Sequence, residues 1–229
     1  MKTDNIFMGF SDQTFRFLKD LKANNNKMWF EQNKQDYEFF LLEPLKKIVR
    51  NMGDFMLAID PYFDVHPAIN RTISKIYRDT RFSNYKYPFK TTSWITFKRP
   101  KKDWKDSPAY FFEISSDSYR FGMGHYSASP NTMRQFREAI DDDPEKFLKT
   151  IAFYSKQKLF TIEGDLYVKI FDKSKPKQIQ NWYQRKNLYL VCNRYIDQDI
   201  YSDRLIDTLI EGFQILVPLY KYLWEIKGN

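Results

Sequence analysis

The sequence is short of the residues that usually announce chemistry: it has one cysteine, two histidines and seven glycines in 229 positions. A lone cysteine, Cys192 in "LYLVCNRYI", excludes an internal disulfide, and its place in an apolar run assigns it to a buried strand as a plain thiol. His66 and His125 have no Cys, His or acid at HxxxH or CxxC spacing, so no metal site is expected. The clustered carboxylates Asp141 to Asp143 fall between two helical patterns and read as caps rather than as cation ligands. With 7 Gly and 10 Pro there is little material for a flexible linker. No stretch approaches the roughly 20 apolar residues that span a bilayer, and "MKTDNIFMGF" lacks the apolar run of a signal peptide. A soluble, cytoplasmic protein with no membrane partner is expected. GxSxG, HExxH and GxxxxGK[ST] are absent, and "GMG" at 122–124 lacks the third glycine of a dinucleotide fingerprint. No familiar catalytic or nucleotide-cofactor motif is present, and the choice between an enzyme and a binding domain stays open.

Aromatic residues, by contrast, are abundant at 18%, and the formal net charge is +8. That charge is localised. Residues 71–105 hold eleven of the 37 basic residues and two of the 29 acidic ones, leaving 26 basic and 27 acidic elsewhere. A local excess of this kind creates a surface potential that concentrates anions, whereas an even excess only aids solubility.

The N-terminal third has helical periodicity. Ser11 is placed to cap a helix carrying Phe15, Leu18 and Leu21 on one face, and the Asn24–Asn26 run ends it. A second helical stretch starts near Asn26, with Pro44 as a kink or a new start. "DPYFDVHPAI" is a loop. From residue 73 the period becomes two: "TISKIY", "TTSWITFK", "AYFFEIS" and "SYRFGMG" predict an antiparallel meander over about 73–124, with "SSDS" as one turn. Ser129-Pro130 opens a helix with Met133, Phe136 and Ile140 on one face, and "DPEKFLKTIAFYSKQ" is another. "LFTIEGDLYVKIF" reads as two short strands around Gly164, "KPKQIQNWYQRK" as a helix and "LYLVCNRYI" as a strand. A long C-terminal helix, with Ser202 as its cap and Pro218 inside, completes a single α+β domain over 1–229: a mostly antiparallel sheet flanked by N-terminal and C-terminal helices.

The basic excess begins in "RTISKIYRDTRFSNYKYPFKTT", residues 71–92. Arg71, Lys75, Arg78, Arg81, Lys86 and Lys90 stand there against one acid, Asp79, which is expected to pair with Arg78 or Arg81 and pin the loop. The remaining cations repel one another unless an anion is bound. The reading is therefore a polar cleft for a phosphate-bearing or otherwise anionic small molecule, held by Arg71, Arg78, Arg81, Lys86 and Lys90. Tyr77 and Tyr87 are available for stacking, and Asn33 and Lys34 for completing the site from the helical layer. Glu113, Tyr119, Arg120, His125 and Tyr126 are candidates for the same cleft, with His125 as a general base near its ordinary pKa of roughly 6.5. Gly122 and Gly124 mark close approach of a ligand or of another backbone, or a bulge. Two alternatives stand beside this reading. Nucleic acid can bind the basic aromatic patch 71–105 through Trp94 and Trp104, or a non-enzymatic interaction protein can meet an acidic partner there.

Three motifs carry a resemblance. Phe7, Gly9, Phe10, Ser11, Thr14, Phe17, Leu18, Leu21, Asn24 and Asn25 form the first; Trp29, Phe30, Asn33, Lys34, Tyr37 and Glu38 the second; "IYRDTRFSNYKYPFKT", Ile76 to Thr91, the third. With "YFFEIS" and "GMGHY", they resemble the bacterial family known as domain of unknown function 2461, over about residues 5–225. Family members tend to have Glu where Met28 stands, and P-x-G where this chain has "SPAY". The resemblance implies one soluble α+β domain and brings no catalytic residues with it.

Overall fold

The computed structural model describes residues 6–81, 87–169 and 172–228. In chain order the elements are α1 (Asp12–Ala23), α2 (Lys27–Gln32), α3 (Lys34–Asp36), a π-helical turn (Tyr37–Leu42), α4 (Glu43–Ile59), β1 (Ser93–Phe97), β2 (Pro108–Ile114), β3 (Ser118–His125), α5 (Pro130–Asp142), α6 (Pro144–Thr150), β4 (Thr161–Glu163), α7 (Lys177–Tyr183), β5 (Tyr189–Tyr195) and α8 (Arg204–Lys227). Among the described residues the strands form one antiparallel sheet in the order β1-β2-β3-β5-β4, the α+β architecture expected. The chain forms two compact units, one from Met1–Phe97, Phe111–Arg120 and Asn193–Ile210, the other from Lys98–Tyr110, Phe121–Cys192 and Glu211–Asn229.

In the first unit, Thr14, Phe15, Phe17, Leu18 and Leu21 make the buried face of α1. The asparagine run stops one helix and starts the next: the Asn24 N–H returns to the Asp20 carbonyl (2.8 Å), and Asn26 Oδ1 accepts the Trp29 N–H (3.0 Å). Pro44 explains the π-helical turn. In a regular α-helix the N–H of residue 44 would serve the Phe40 carbonyl, but proline has none and its ring clashes with that carbonyl. The helix widens through Tyr37–Leu42, and the fully buried Thr14 hydroxyl donates to the Phe40 carbonyl instead (2.6 Å). The Ser115–Ser118 turn closes the β2–β3 hairpin, the Ser115 N–H donating to the Ser118 carbonyl at 2.9 Å. Phe112, Ile114 and Tyr119 are buried, while Glu113 and Arg120 are half-exposed.

In the second unit, α5 buries Met133, Phe136 and Ile140 as its spacing predicts. Phe147 packs edge-on against Phe136 and Trp182 at 5.6 and 5.8 Å. β4 pairs antiparallel with β5, Ile162 opposite Leu190. The second short strand expected beyond Gly164 is reduced, among the described residues, to a single bridge between Leu166 and Arg185. Gly122 and Gly124 record backbone proximity: a Cβ on either would lie 1.9 Å from the Leu190 carbonyl oxygen or 2.4 Å from the Leu188 one. Cys192 is buried in β5.

Pro218 lies inside α8. Ser202 ends a 3-10 turn, and its hydroxyl donates back to the Asp199 carbonyl (3.3 Å) instead of capping α8. No described helix is long and apolar enough to cross a membrane.

Candidate anion-binding site

The basic segment belongs to the first unit and runs antiparallel to β1 and its approach. Ile73 bridges Ile95 and Tyr77 bridges Phe89. Backbone bonds run from Ser74 N–H to Trp94 O (2.9 Å), from Lys90 N–H to Ile76 O (2.8 Å) and from Arg78 N–H to Pro88 O (2.8 Å). Between the two bridges the first strand advances four residues and the second six, so the second bulges. Bulges re-aim side chains, and this one lies between Lys90 and Trp94. The segment "TISKIY", residues 72–77, expected as a strand, makes isolated bridges only.

The helical layer fixes where this hairpin lies. Asn25 clamps Phe89 at two points, donating to its carbonyl and accepting its N–H, each at 3.0 Å. Phe30 stacks on Phe89 with ring centroids 4.2 Å apart, and Tyr77 leans against both rings at 5.9 and 5.1 Å. Residues of all three sequence motifs thus meet at one joint.

The cations on the hairpin sort into two groups. Arg71 is neutralised by Asp64, a buried acid seven residues earlier, through Nε to Oδ2 at 2.7 Å. Burial alone would raise the Asp64 carboxyl, but the Arg71 and His66 hydrogen bonds outweigh it and hold the group below its ordinary range. Arg81 chelates Asp79, Nε to Oδ1 at 3.0 Å and Nη2 to Oδ2 at 2.7 Å. Those hydrogen bonds lower Asp79 to about 2. The expected loop clamp is this pair, and it is solvent-exposed. Lys86 lies outside the described residues.

Lys75, Arg78 and Lys90 form the second group. Lys90 is half-buried, donates to the Lys75 carbonyl (2.8 Å) and rests its ammonium 4.4 Å from the centre of the Trp94 ring. Its pKa is lowered, first by burial and then by the charges of Lys75 and Arg78. Among the described residues, no carboxylate lies within ion-pair distance of these three side chains. Lys75 and Trp94 were legible in the sequence only as parts of the basic aromatic stretch.

The remaining candidates lie elsewhere. Asn33 ends α2, its side-chain amide donating to the Trp29 carbonyl (2.8 Å), and Lys34 is exposed at the start of α3. No contact among the described residues brings either to the hairpin cations. Tyr77 is half-exposed and one of its faces packs on the Phe30–Phe89 pair; Tyr87 is exposed. His125 belongs to the second unit and is 4% exposed. Burial pushes its pKa down to about 4, the nearby Asp106 offsetting only part of this. That is below the ordinary value on which the general-base expectation rests, and the Nδ1 of His125 has no partner among the described residues. The N-terminus of α5 is filled by the protein. Asp106 accepts the Ser129 N–H at 2.6 Å and the Thr132 hydroxyl at 2.8 Å.

The first unit also holds an open cavity of about 400 Å³ beside β2, β3 and β5, lined by residues that include Thr92, Glu113, Arg120 and Tyr195. Glu113 and Arg120 face each other across the hairpin and form a two-point ion pair at 3.1 and 3.2 Å. Tyr119 donates to Asp197 (2.9 Å), and Arg194 Nη1 donates to the Tyr119 oxygen (3.2 Å) and to Asp199 (2.9 Å). Burial, the largest influence, raises the Tyr119 phenol, which therefore stays protonated. Of the residues expected to share a cleft, Glu113, Tyr119 and Arg120 line this cavity; His125 and Tyr126 do not. Asn193, Arg194 and Tyr195 were not anticipated. Their only signal was the turn to polar residues after the apolar run Leu190–Cys192.

The model of the family described as conserved hypothetical protein (DUF2461) matches residues 13–222. The chain belongs to that family. Among curated proteins none matches it. The DUF2461 match spans both the hairpin and the cavity. Among the described residues no group of His, Cys, Asp and Glu is arranged to hold a metal ion.

Proposed function

We propose that the corner formed by Lys75, Arg78 and Lys90 binds a phosphate-bearing anion. One observation carries this reading: the half-buried Lys90 ammonium, 4.4 Å from the centre of the Trp94 ring, feels the charges of Lys75 and Arg78, while the acid that acts on Lys75, the exposed Asp79, is already chelated by Arg81 and forms no ion pair with any of the three. Like charges held near one another at a partly buried site repel. A bound phosphate relieves that repulsion and gives the Arg78 guanidinium a fork-shaped acceptor. Linkage sets the pH dependence. The bound anion favours protonated Lys90, so affinity is full below the depressed pKa of the free corner and falls as pH rises through it.

Nucleic acid is a poorer occupant, because the rings it would stack on already carry cations. Lys90 covers Trp94 at 4.4 Å and Lys98 covers Trp104 at 4.9 Å.

The test is thermal unfolding of the chain with millimolar pyrophosphate or inorganic phosphate. The wild type is expected to gain several degrees and the Lys75→Ala/Arg78→Ala double variant to lose most of the gain. Equal stabilisation of both proteins would overturn the assignment, as would none in either.

A further inference from the structure

The second unit has an open cavity of its own, about 510 Å³, between the end of α6 and α7. Helical spacing builds both walls. Leu148, Ile151 and Ala152 stand at i, i+3 and i+4 where α6 ends, and α7 contributes the i, i+4 pairs Lys177–Asn181 and Gln178–Trp182. The floor is apolar and firmly held. Ile151 and Trp182 are 7% and 1% exposed, and the Trp182 indole meets the rings of Phe147 and Tyr154 edge-on at 5.8 and 5.3 Å. An apolar wall with a few polar groups, in a volume of about 300–1,000 Å³, is the usual form of a small-molecule site.

The polar groups of the rim are only partly open to a ligand. Ser155 donates its hydroxyl to the Ala152 carbonyl (3.2 Å), and Asn181 Oδ1 accepts from the Arg185 guanidinium (2.7 Å). Lys177 and Gln178 are exposed, and their side chains make no hydrogen bond or ion pair among the described residues. The charge around them has one sign. Residues 146–158 and 173–182 hold seven lysines and no acid, Glu145 and Asp172 lying just outside. Lys146 pairs with Glu225 and Lys175 with Asp141. Among the described residues, no carboxylate is within ion-pair distance of Lys149, Lys156, Lys158, Lys173 or Lys177. An apolar floor under a rim of lysines fits a molecule with a hydrocarbon body and an anionic end, and one lysine on the lining itself suits a single negative charge.

We infer that this cavity binds a monocarboxylate with an apolar chain, the chain lying on Ile151 and Trp182 and the carboxylate at Lys177 and Gln178. Calorimetric titration of the full chain with octanoate, decanoate, decanol and decylamine, each kept below its micelle concentration, tests it. Decanoate is expected to bind one molecule per chain, at least tenfold more tightly than decylamine. Burying one methylene strengthens binding about fourfold, so decanoate should exceed octanoate by at least fivefold. Lys177→Gln should weaken decanoate at least threefold and leave decanol unchanged. Ala152→Phe, at an exposed position on the wall, should fill the cavity and weaken both at least tenfold. Both substitutions are at exposed positions, and circular dichroism checks that each variant is folded. The inference is overturned if decylamine binds as tightly as decanoate, if octanoate matches decanoate, or if several molecules bind per chain. It is overturned equally by a folded Ala152→Phe protein that binds as the wild type does, by a Lys177→Gln protein that loses decanol as much as decanoate, or by no binding at all. A blocked Asp-Leu-Leu-Asp peptide that binds more tightly than decanoate would assign the cavity to a protein partner and overturn it too.

Discussion

Arg71 and Lys90 lie in the same basic stretch and carry the same charge, yet they have opposite environments. Arg71 meets the buried Asp64 and is neutralised. Lys90 meets a tryptophan face, a carbonyl and two further cations, and its pKa falls. Sequence made the surplus of charge visible but not its partition, because Asp64 sits in a loop that contains no pattern. His125 shows the same limit from the other side. As an isolated histidine it resembled a base, but β3 buries it, and burial disfavours the charged form. The depression from 6.5 to about 4, at about 1.4 kcal/mol per tenfold change in proton affinity, is on the order of 3–4 kcal/mol. Because the folded value lies below the unfolded one, the unfolded chain binds more protons between them. This share of stability is therefore full above about 6.5 and is lost as pH falls towards about 4. Urea unfolding of wild type and His125→Gln across that window should show a slope shallower by about one proton in the variant. Identical slopes would mean that His125 is not buried neutral.

At the scale of elements, caps and turns were the most legible features. Ser129 caps α5 through the Thr132 N–H at 3.1 Å, and Asn26 starts α2, both as the residue types predict. The π-helical turn was only half legible. Pro44 announced an interruption, but the partner that makes it tolerable is Thr14, on a different helix. Thr14→Val should leave the part-buried Phe40 carbonyl without that donor and cost about 1–3 kcal/mol, measured by chemical denaturation. Adding Pro44→Ala supplies a new N–H and should recover part of the loss; strict additivity of the two changes would contradict this account. The cavity was the least legible element. Its walls come from residues 92, 113–120 and 193–195, and no local pattern links segments so far apart. Only the Glu113–Arg120 half, carried on one hairpin, could be grouped in advance.

For the whole molecule, the net charge of +8 is a statement about one stretch of chain, and the fold divides that stretch. Residues up to Phe97 belong to the first unit and Lys98–Tyr110 to the second. In the second unit the cations are placed on rings, Arg99 and Lys101 on Trp224 at 3.9 and 5.1 Å and Lys105 on Tyr126 at 5.6 Å. Lys227 also takes up Asp103 there, at 3.0 Å. Lys75, Arg78 and Lys90 stay with the first unit, beside the joint where the three motifs meet. The fold class followed from hydrophobic period and caps, which are local. The site depended on a bulge and on cross-strand neighbours, which are not. The most direct measurement is a crystal structure of the chain grown with pyrophosphate. The account predicts a phosphoryl group within hydrogen-bond distance of Lys90 Nζ and the Arg78 guanidinium; a corner empty of anion at saturating pyrophosphate, with Lys90 still folded over Trp94, would contradict it.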